Sequence, residues 1–274
     1  MQTKKERPKK TAGGASLAIC GSGLFPSRDM TVGSVKALAR CRSVFYVHSD
    51  HARVARELKE LDSRIKLRPI FRGGPVDIHE LWAAVKKDLA AGHATGYLTY
   101  GNPMLRGEGL ELSERCLAEN FPVSVFPGVS SIDAILSAPG ILAQAMSRGF
   151  TLALAADIAS GRIKPDPRST LVIMGAAEEL NAREFAAMHR VLLERLGPGR
   201  RVFCVRMDDA QNKGELSACS VACLPASIKR LPHKSTLLLP YFASDRENRR
   251  EMRQTRLTPK NISRTKYSFT SKAN

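Results

Sequence analysis

The chain has 274 residues, 43% of them hydrophobic, which suffices for one large domain or two smaller ones with real cores. Its formal net charge is +17, and much of the excess lies at the ends: Lys4, Lys5, Arg7, Lys9 and Lys10 at the start, and a second basic run between Arg246 and Lys272. No apolar run approaches the ~20 residues of a bilayer span, no signal-peptide core follows the basic start, and 6 cysteines without a CxxC pair or zinc-ligand spacing argue against a structural zinc site.

Residues 1–15 are polar, basic and glycine-containing, the composition of a disordered tail. "SLAIC" (16–20) reads as a short buried strand that breaks at the glycine loop "GSGLFPSRD". "MTVGSVKALARC" then puts Val32, Val35, Leu38 and Ala39 on one helical face, with Asp29 or Thr31 as its cap. "SVFYV" is the next strand. Strand, loop, helix and strand make a βαβ unit, which closes right-handed with parallel strands. Helices are expected over "HARVARELKELDSRIKL" (51–67) and over 76–92, where Leu81, Val85 and Leu89 repeat at helical spacing, Trp82 joins the apolar face, and Gly92 stops the run. The strand "HATGYLTYG", the helix "EGLELSERCLAENF" and the strand "VSVFPG" continue the alternation, so this part is an open, mostly parallel α/β sheet.

A second section starts near residue 130. It holds the strands "STLVIMGA", "RRVFCVRM" and "STLLLPYF" and an amphipathic helix over 182–197, and its strands can pair antiparallel. The expected organisation is a basic tail over 1–15, one α/β domain over 16–129, a second over 130–243, and a basic tail over 244–274. The cysteines sit mostly among apolar residues as buried thiols, which points to a reducing, cytoplasmic setting and no membrane partner. The basic tails suit solubility, and their long-range field also suits nucleic acid.

Open α/β sheets bind ligands beyond the carboxyl ends of their strands. Three such ends stand out. "CGSGLFPSRD" (20–29) is glycine-rich, but it is not G-x-G-x-x-G, and the next strand ends Tyr46-Val47-His48 with no acidic residue to clamp a ribose. "YLTYGNPMLRGEG" (97–109) runs from an apolar strand into a glycine-punctuated loop. "FPGVSSIDAI" (126–135) ends a strand in Pro-Gly and opens a helix with Ser130 and Ser131, either of which is a good N-cap. Asp133 and Asp157 read as capping or solvated carboxylates, and His48 and His79 as surface histidines.

Taken together and in order, these segments resemble the tetrapyrrole (corrin/porphyrin) methylase superfamily. "LAICGSG" followed by "MTVGSVKALARCRSVFY" is similar to its opening strand, glycine loop, helix and second strand. "YGNPMLRGEGLEL" resembles its Gly-Asp-Pro loop, "PGVSSIDAILSAPGI" its Pro-Gly-Ile-Ser-Ser motif, and "STLVIMG" its Thr-Leu-Val…Met-Gly strand. The likeness runs from about residue 17 to 242. Within the superfamily, Tyr-Gly-Asn-Pro is nearest to the Tyr-Gly-His-Pro of borosin-type peptide backbone N-methyltransferases. Of that branch's catalytic tyrosines only Tyr100 has a counterpart, because "IFRGGPVDIHELW" contains no tyrosine.

The resemblance implies two α/β domains with S-adenosylmethionine in the cleft between them, and a homodimer. It implies that Gly101 lets backbone approach the cofactor, that Asn102 stands where the family has an aspartate, that Pro103 fixes the turn and that Leu105 meets the adenosyl part. Ser130 and Ser131 flank the cofactor, Met174 meets adenine through its backbone, Met207 belongs to a loop over Val205–Asp208 on the same side, and Pro26 belongs to the first loop. Tyr100 is the one catalytic candidate and also a cofactor neighbour. No metal is implied. The acceptor expected from the branch is a peptide or small protein; a tetrapyrrole or ribosomal RNA acceptor, or a catalytically inactive cofactor- or RNA-binding relative, are the alternatives.

Overall fold

The computed structural model describes residues 14–47, 51–70, 76–105, 107–137, 149–176, 180–208, 213–228, 235–241 and 265–268. The chain divides into two units, Met1–Ser130 and Ser131–Asn274.

In the first unit, β1 (Ser16–Gly21), β2 (Ser43–Tyr46), β3 (Leu67–Pro69), β4 (Ala94–Thr99) and β5 (Val123–Phe126) form one sheet in the order β3-β2-β4-β1-β5. Every pairing in it is parallel. Both faces are covered, as an all-parallel sheet requires. Because successive strand residues point to opposite faces, Leu17, Ile19, Phe45 and Tyr97 pack on one side against Leu81, Val85 and Leu89 of α4 (Ile78–Ala90) and Leu112 and Cys116 of α5 (Glu108–Ala118). On the other side Cys20, Val44, Tyr46 and Leu98 meet Leu38 of α2 (Val32–Leu38) and Val54 and Leu58 of α3 (His51–Leu61). A short α1 (Pro26–Asp29) lies in the loop after β1. Each fully buried Leu, Ile or Val side chain contributes about 1.5–3 kcal/mol of transfer free energy, so these two layers dominate the stability of the unit.

The strand order also decides which loops meet. β1 leads to β2 across β4, whereas β4 leads to β5 across β1, so the loops after β1 and β4 are neighbours at the carboxyl end of the sheet, the end where ligands of open α/β sheets sit.

The second unit has a six-stranded sheet in the order β11-β9-β8-β10-β7-β6. β6 (Phe150–Leu154) and β7 (Thr170–Met174) are parallel, and β8 (Arg201–Asp208), β9 (Lys213–Ser220), β10 (Ser235–Leu239) and β11 (Thr265–Ser268) join antiparallel. Its core is Leu171, Ile173, Cys204, Leu237 and Leu239 against Met188 and Leu192 of α8 (Ala182–Leu196), with α7 (Ala155–Ala159) and α9 (Leu224–Ile228) beside it. Asn181 caps α8 through a full capping box with Glu184. α6 (Ser131–Ser137) opens this unit.

The structure corrects several expectations. The helix expected over 51–67 ends at Leu61, and Leu67–Pro69 form the edge strand β3, where the stretch is too short for its periodicity to show. Val32 is exposed at 69%, because Thr31 caps α2 and puts Ser34 and Leu38 on the buried face instead. β6 and β9 are strands that the sequence did not signal, and Val205–Asp208, expected as a loop, continue β8. Thr265–Ser268, expected inside a tail, pair with β9. Cys223 is exposed, whereas Cys20, Cys41, Cys116 and Cys204 are buried free thiols. Burial pushes the Cys41 thiol up to about 11. The basic start, His48 and most of the basic end lie outside the described residues.

Candidate functional site

Three loops meet at the carboxyl ends of β1, β4 and β5, and they meet through backbone. Ser22 N–H donates to the Thr99 carbonyl at 2.8 Å and Gly101 N–H to the Gly23 carbonyl at 3.0 Å. Isolated bridges join Gly23 to Gly101 and Met30 to Gly128. The close approach demands glycine at two positions. A Cβ on Gly21 would lie 2.2 Å from the Gly101 carbonyl oxygen and 2.6 Å from Gly128 N, and one on Gly128 would lie 2.5 Å from Gly23 N. No side chain tolerates contacts that short, and the atoms met are backbone, which cannot swing aside.

Gly101 is different. Its φ is +67°, which favours glycine, but a Cβ there would meet only the Ser130 Cα, at 3.9 Å. Among the described residues Gly101 is therefore held to glycine by its backbone conformation and not by crowding, and one added carbon would make only an ordinary van der Waals contact with Ser130.

Side chains hold the loops in place. Asp29 accepts from Phe25 N–H at 3.0 Å and from the Arg28 guanidinium at 2.7 Å, which closes the first loop around α1. Pro26 is buried at the first position of α1, where its missing N–H is not needed. Asn102 accepts from Met104 N–H at 3.0 Å, an Asx turn that shapes the second loop from within. Pro103 is buried over α5: its carbonyl oxygen would lie 2.3 Å from a Cβ on Gly109, so Gly109 is what lets the loop settle on the helix. Tyr97, fully buried, donates to Glu108 at 2.9 Å and so ties the end of β4 to the start of α5 across the loop. Burial, and then the Glu108 charge, hold the Tyr97 phenol well above its usual range, so it stays a donor.

Of the residues that the resemblance implied, the structure brings Gly101 and Ser130 together, with Tyr100, Asn102, Pro103 and Leu105 on the same loop and Pro26 on the loop bridged to it. Tyr100 follows β4 directly and is half-buried, and Ser130 is buried. Ser131 begins α6, Met174 ends β7 and Met207 lies in β8, all in the second unit; the Met207 side chain is outside the described residues. Asp157 pairs with Arg162 at 2.5 Å. The sequence offered Asp29 only as a cap of α2, a place that Thr31 takes, and signalled neither its bracing of the first loop, nor the Tyr97–Glu108 tie, nor the partners of Gly21 and Gly128. The glycines were visible, but what they approach depends on which strands become neighbours. Among the described residues there is no cluster of metal-ligating side chains, and no helix is long and apolar enough to cross a membrane.

The profile of the tetrapyrrole (corrin/porphyrin) methylases matches residues 16–207. The chain belongs to that family. A crystal structure of uroporphyrin-III C-methyltransferase from Thermus thermophilus aligns with a TM-score of 0.62 at 22% identity, covering 82% of this chain and 92% of that one. The cobalamin biosynthetic enzyme cobalt precorrin-4 methyltransferase aligns at 0.59 and 15% identity, covering 82% of this chain and 95% of that one. At these identities the two structures establish the shared fold. No curated protein matches. Tetrapyrrole methylases draw their methyl group from S-adenosylmethionine, and the loop at Gly101 is compatible with such a group: among the described residues a Cβ there would touch only the Cα of the buried Ser130, and no carboxylate.

Proposed function

We propose that this methyltransferase holds S-adenosylmethionine on the loops after β1, β4 and β5 and methylates a peptide or small protein. The observation that supports the cofactor part is the interlock of three loops around Gly101 at the carboxyl ends of β1, β4 and β5, with Ser130 beside it. In this reading Gly101 and Asn102 present backbone to the cofactor, Pro103 and Leu105 shape the apolar wall, and Pro26, Ser130 and Ser131 line the approach.

A bound sulfonium supplies an already activated methyl group, so the chain's own work is alignment and exclusion of water. The loops suit alignment because their geometry is set by backbone hydrogen bonds and steric interlock, which leave few alternative conformations. Tyr100, half-buried at the end of β4, is the residue assigned to polarise the acceptor. Its phenol donates or accepts a hydrogen bond without a change of charge.

The peptide acceptor rests on Tyr100-Gly101-Asn102-Pro103, the segment similar to the borosin branch. A tetrapyrrole acceptor is the second reading, favoured by the family and by the two aligned enzymes. Incubation with methyl-tritiated S-adenosylmethionine separates them. The expected result is label in a peptide fraction, lost in Tyr100→Phe by about tenfold or more. Label in a uroporphyrin-type tetrapyrrole and none in peptide would replace the acceptor while leaving the donor site intact. Failure of the protein to bind the donor at all would remove the whole reading.

A further inference from the structure

The opposite edge of the first sheet carries a second constellation. Lys66 immediately precedes β3, Arg42 immediately precedes β2 and His93 immediately precedes β4. These three strands are neighbours in that order, and neighbouring strands lie about 4.8 Å apart. Three basic residue types therefore stand in a row at the amino ends of adjacent strands. Backbone bonds fix the row: Arg42 N–H donates to the Ala94 carbonyl at 2.8 Å, and Val44 N–H to the Lys66 carbonyl at 2.8 Å. Arg40, two residues beyond α2, and Arg64, in the turn after α3, close around it.

Together these residues line one shallow, open concavity of about 580 Å³, with Gly14 and Gly92 on its wall and the four cationic side chains exposed to solvent. Four formal positive charges face it, and none of its lining residues is acidic. Asp62, outside the lining, offsets one of the four by gripping the Nε and Nη2 of Arg64 at 3.0 and 2.7 Å. Arg40, Arg42 and Lys66 make no salt bridge among the described residues. Like charges concentrated in a concavity repel one another and focus a positive field into it, and a bound anion relieves that repulsion. The row is a strand's length, roughly 17 Å, from the loops assigned to the cofactor, so the two sites do not overlap.

We infer that this cavity binds a compact, multiply charged phosphoryl anion, either a free pyrophosphate-like group or a phosphate of a nucleic-acid chain. The guanidinium groups of Arg40 and Arg42 supply paired donors for phosphate oxygens, and Lys66 supplies a point charge.

The test is titration of the full chain with inorganic pyrophosphate at low salt, for the natural protein and for the double variant Arg42→Gln, Lys66→Gln. Saturable binding of one pyrophosphate, weakened about tenfold or more in the variant and by added salt, with S-adenosylhomocysteine binding unchanged, is expected. Arg40→Gln, alone, is expected to weaken it in the same direction and keeps the test open should the double variant not fold. A tail variant, Lys5→Gln, Lys9→Gln, is expected to bind pyrophosphate as before. Oligouridylate that displaces pyrophosphate identifies a nucleic-acid chain as the source of the phosphate, and oligouridylate that binds natural protein and double variant alike identifies a small free anion. Absent pyrophosphate binding, or equal binding by the natural protein, the double variant and Arg40→Gln, would overturn the inference.

Discussion

The two ends of the first sheet are built by opposite means. At the carboxyl ends the site is backbone: Gly21, Gly23, Gly101 and Gly128 bring three loops within contact, and side chains such as Asp29 and Asn102 brace them from behind. At the amino ends the features are side chains, Arg40, Arg42, Arg64 and Lys66 around an open concavity, carried on the turns that lead from α2 into β2 and from α3 into β3. A backbone site constrains the residues that build it, since a single added methyl meets main chain. A side-chain site leaves the fold indifferent to which residue is present and confines the consequence to binding.

The largest expected effect sharpens that contrast. Gly128→Val places a branched side chain where Gly23 N would be 2.5 Å from Cβ, and overpacking against backbone costs about 3 kcal/mol or more. Urea unfolding followed by the fluorescence of Trp82, the single tryptophan, which is partly buried against the core of the first unit, should show the loss or no folded protein at all. Next comes Tyr97→Phe. It leaves the Glu108 carboxylate without its buried donor, and about 1–3 kcal/mol of stability should disappear in the same unfolding experiment. Burial raises the phenols of both Tyr97 and Tyr46, which predicts an alkaline absorbance titration in which these two ionise after the less buried tyrosines.

Gly101→Ala should cost less, about 1–2 kcal/mol, since only the positive φ opposes it and the Cβ has room. Smallest of all is Arg42→Gln at the other end of the sheet, expected within about 0.5 kcal/mol of the natural stability. A cost there as large as at Gly128 would break the comparison, because the amino-end residues would then be structural.

The first unit was legible in outline. Leu81, Val85 and Leu89 repeat at helical spacing and are buried as a stripe, and the alternation of short apolar runs with helices predicts a parallel sheet. The family motifs fall on the loops that follow β1, β4 and β5. What sequence could not give was strand order. β1 and β4 are distant in the chain, and the contact of Gly21 with Gly101, or the row Lys66, Arg42, His93, exists only because the order is β3-β2-β4-β1-β5. Val32 was misread for a local reason: the cap at Thr31 sets the phase of a short helix, and one apolar residue in its first turn does not. In the second unit, β6 and β9 escaped notice because "FTLAL" is short and "KGELSACS" alternates small and polar residues with little apolar weight.

The loops after β1, β4 and β5 are proposed to hold S-adenosylmethionine beside Gly101. Titration calorimetry with S-adenosylhomocysteine on the natural protein and on Gly101→Trp addresses it directly, with Trp82-monitored unfolding of Gly101→Cys as a check that the strand end survives substitution. Micromolar binding by the natural protein that vanishes in Gly101→Trp is the predicted result. No binding by the natural protein, or undiminished binding by Gly101→Trp, would contradict the assignment.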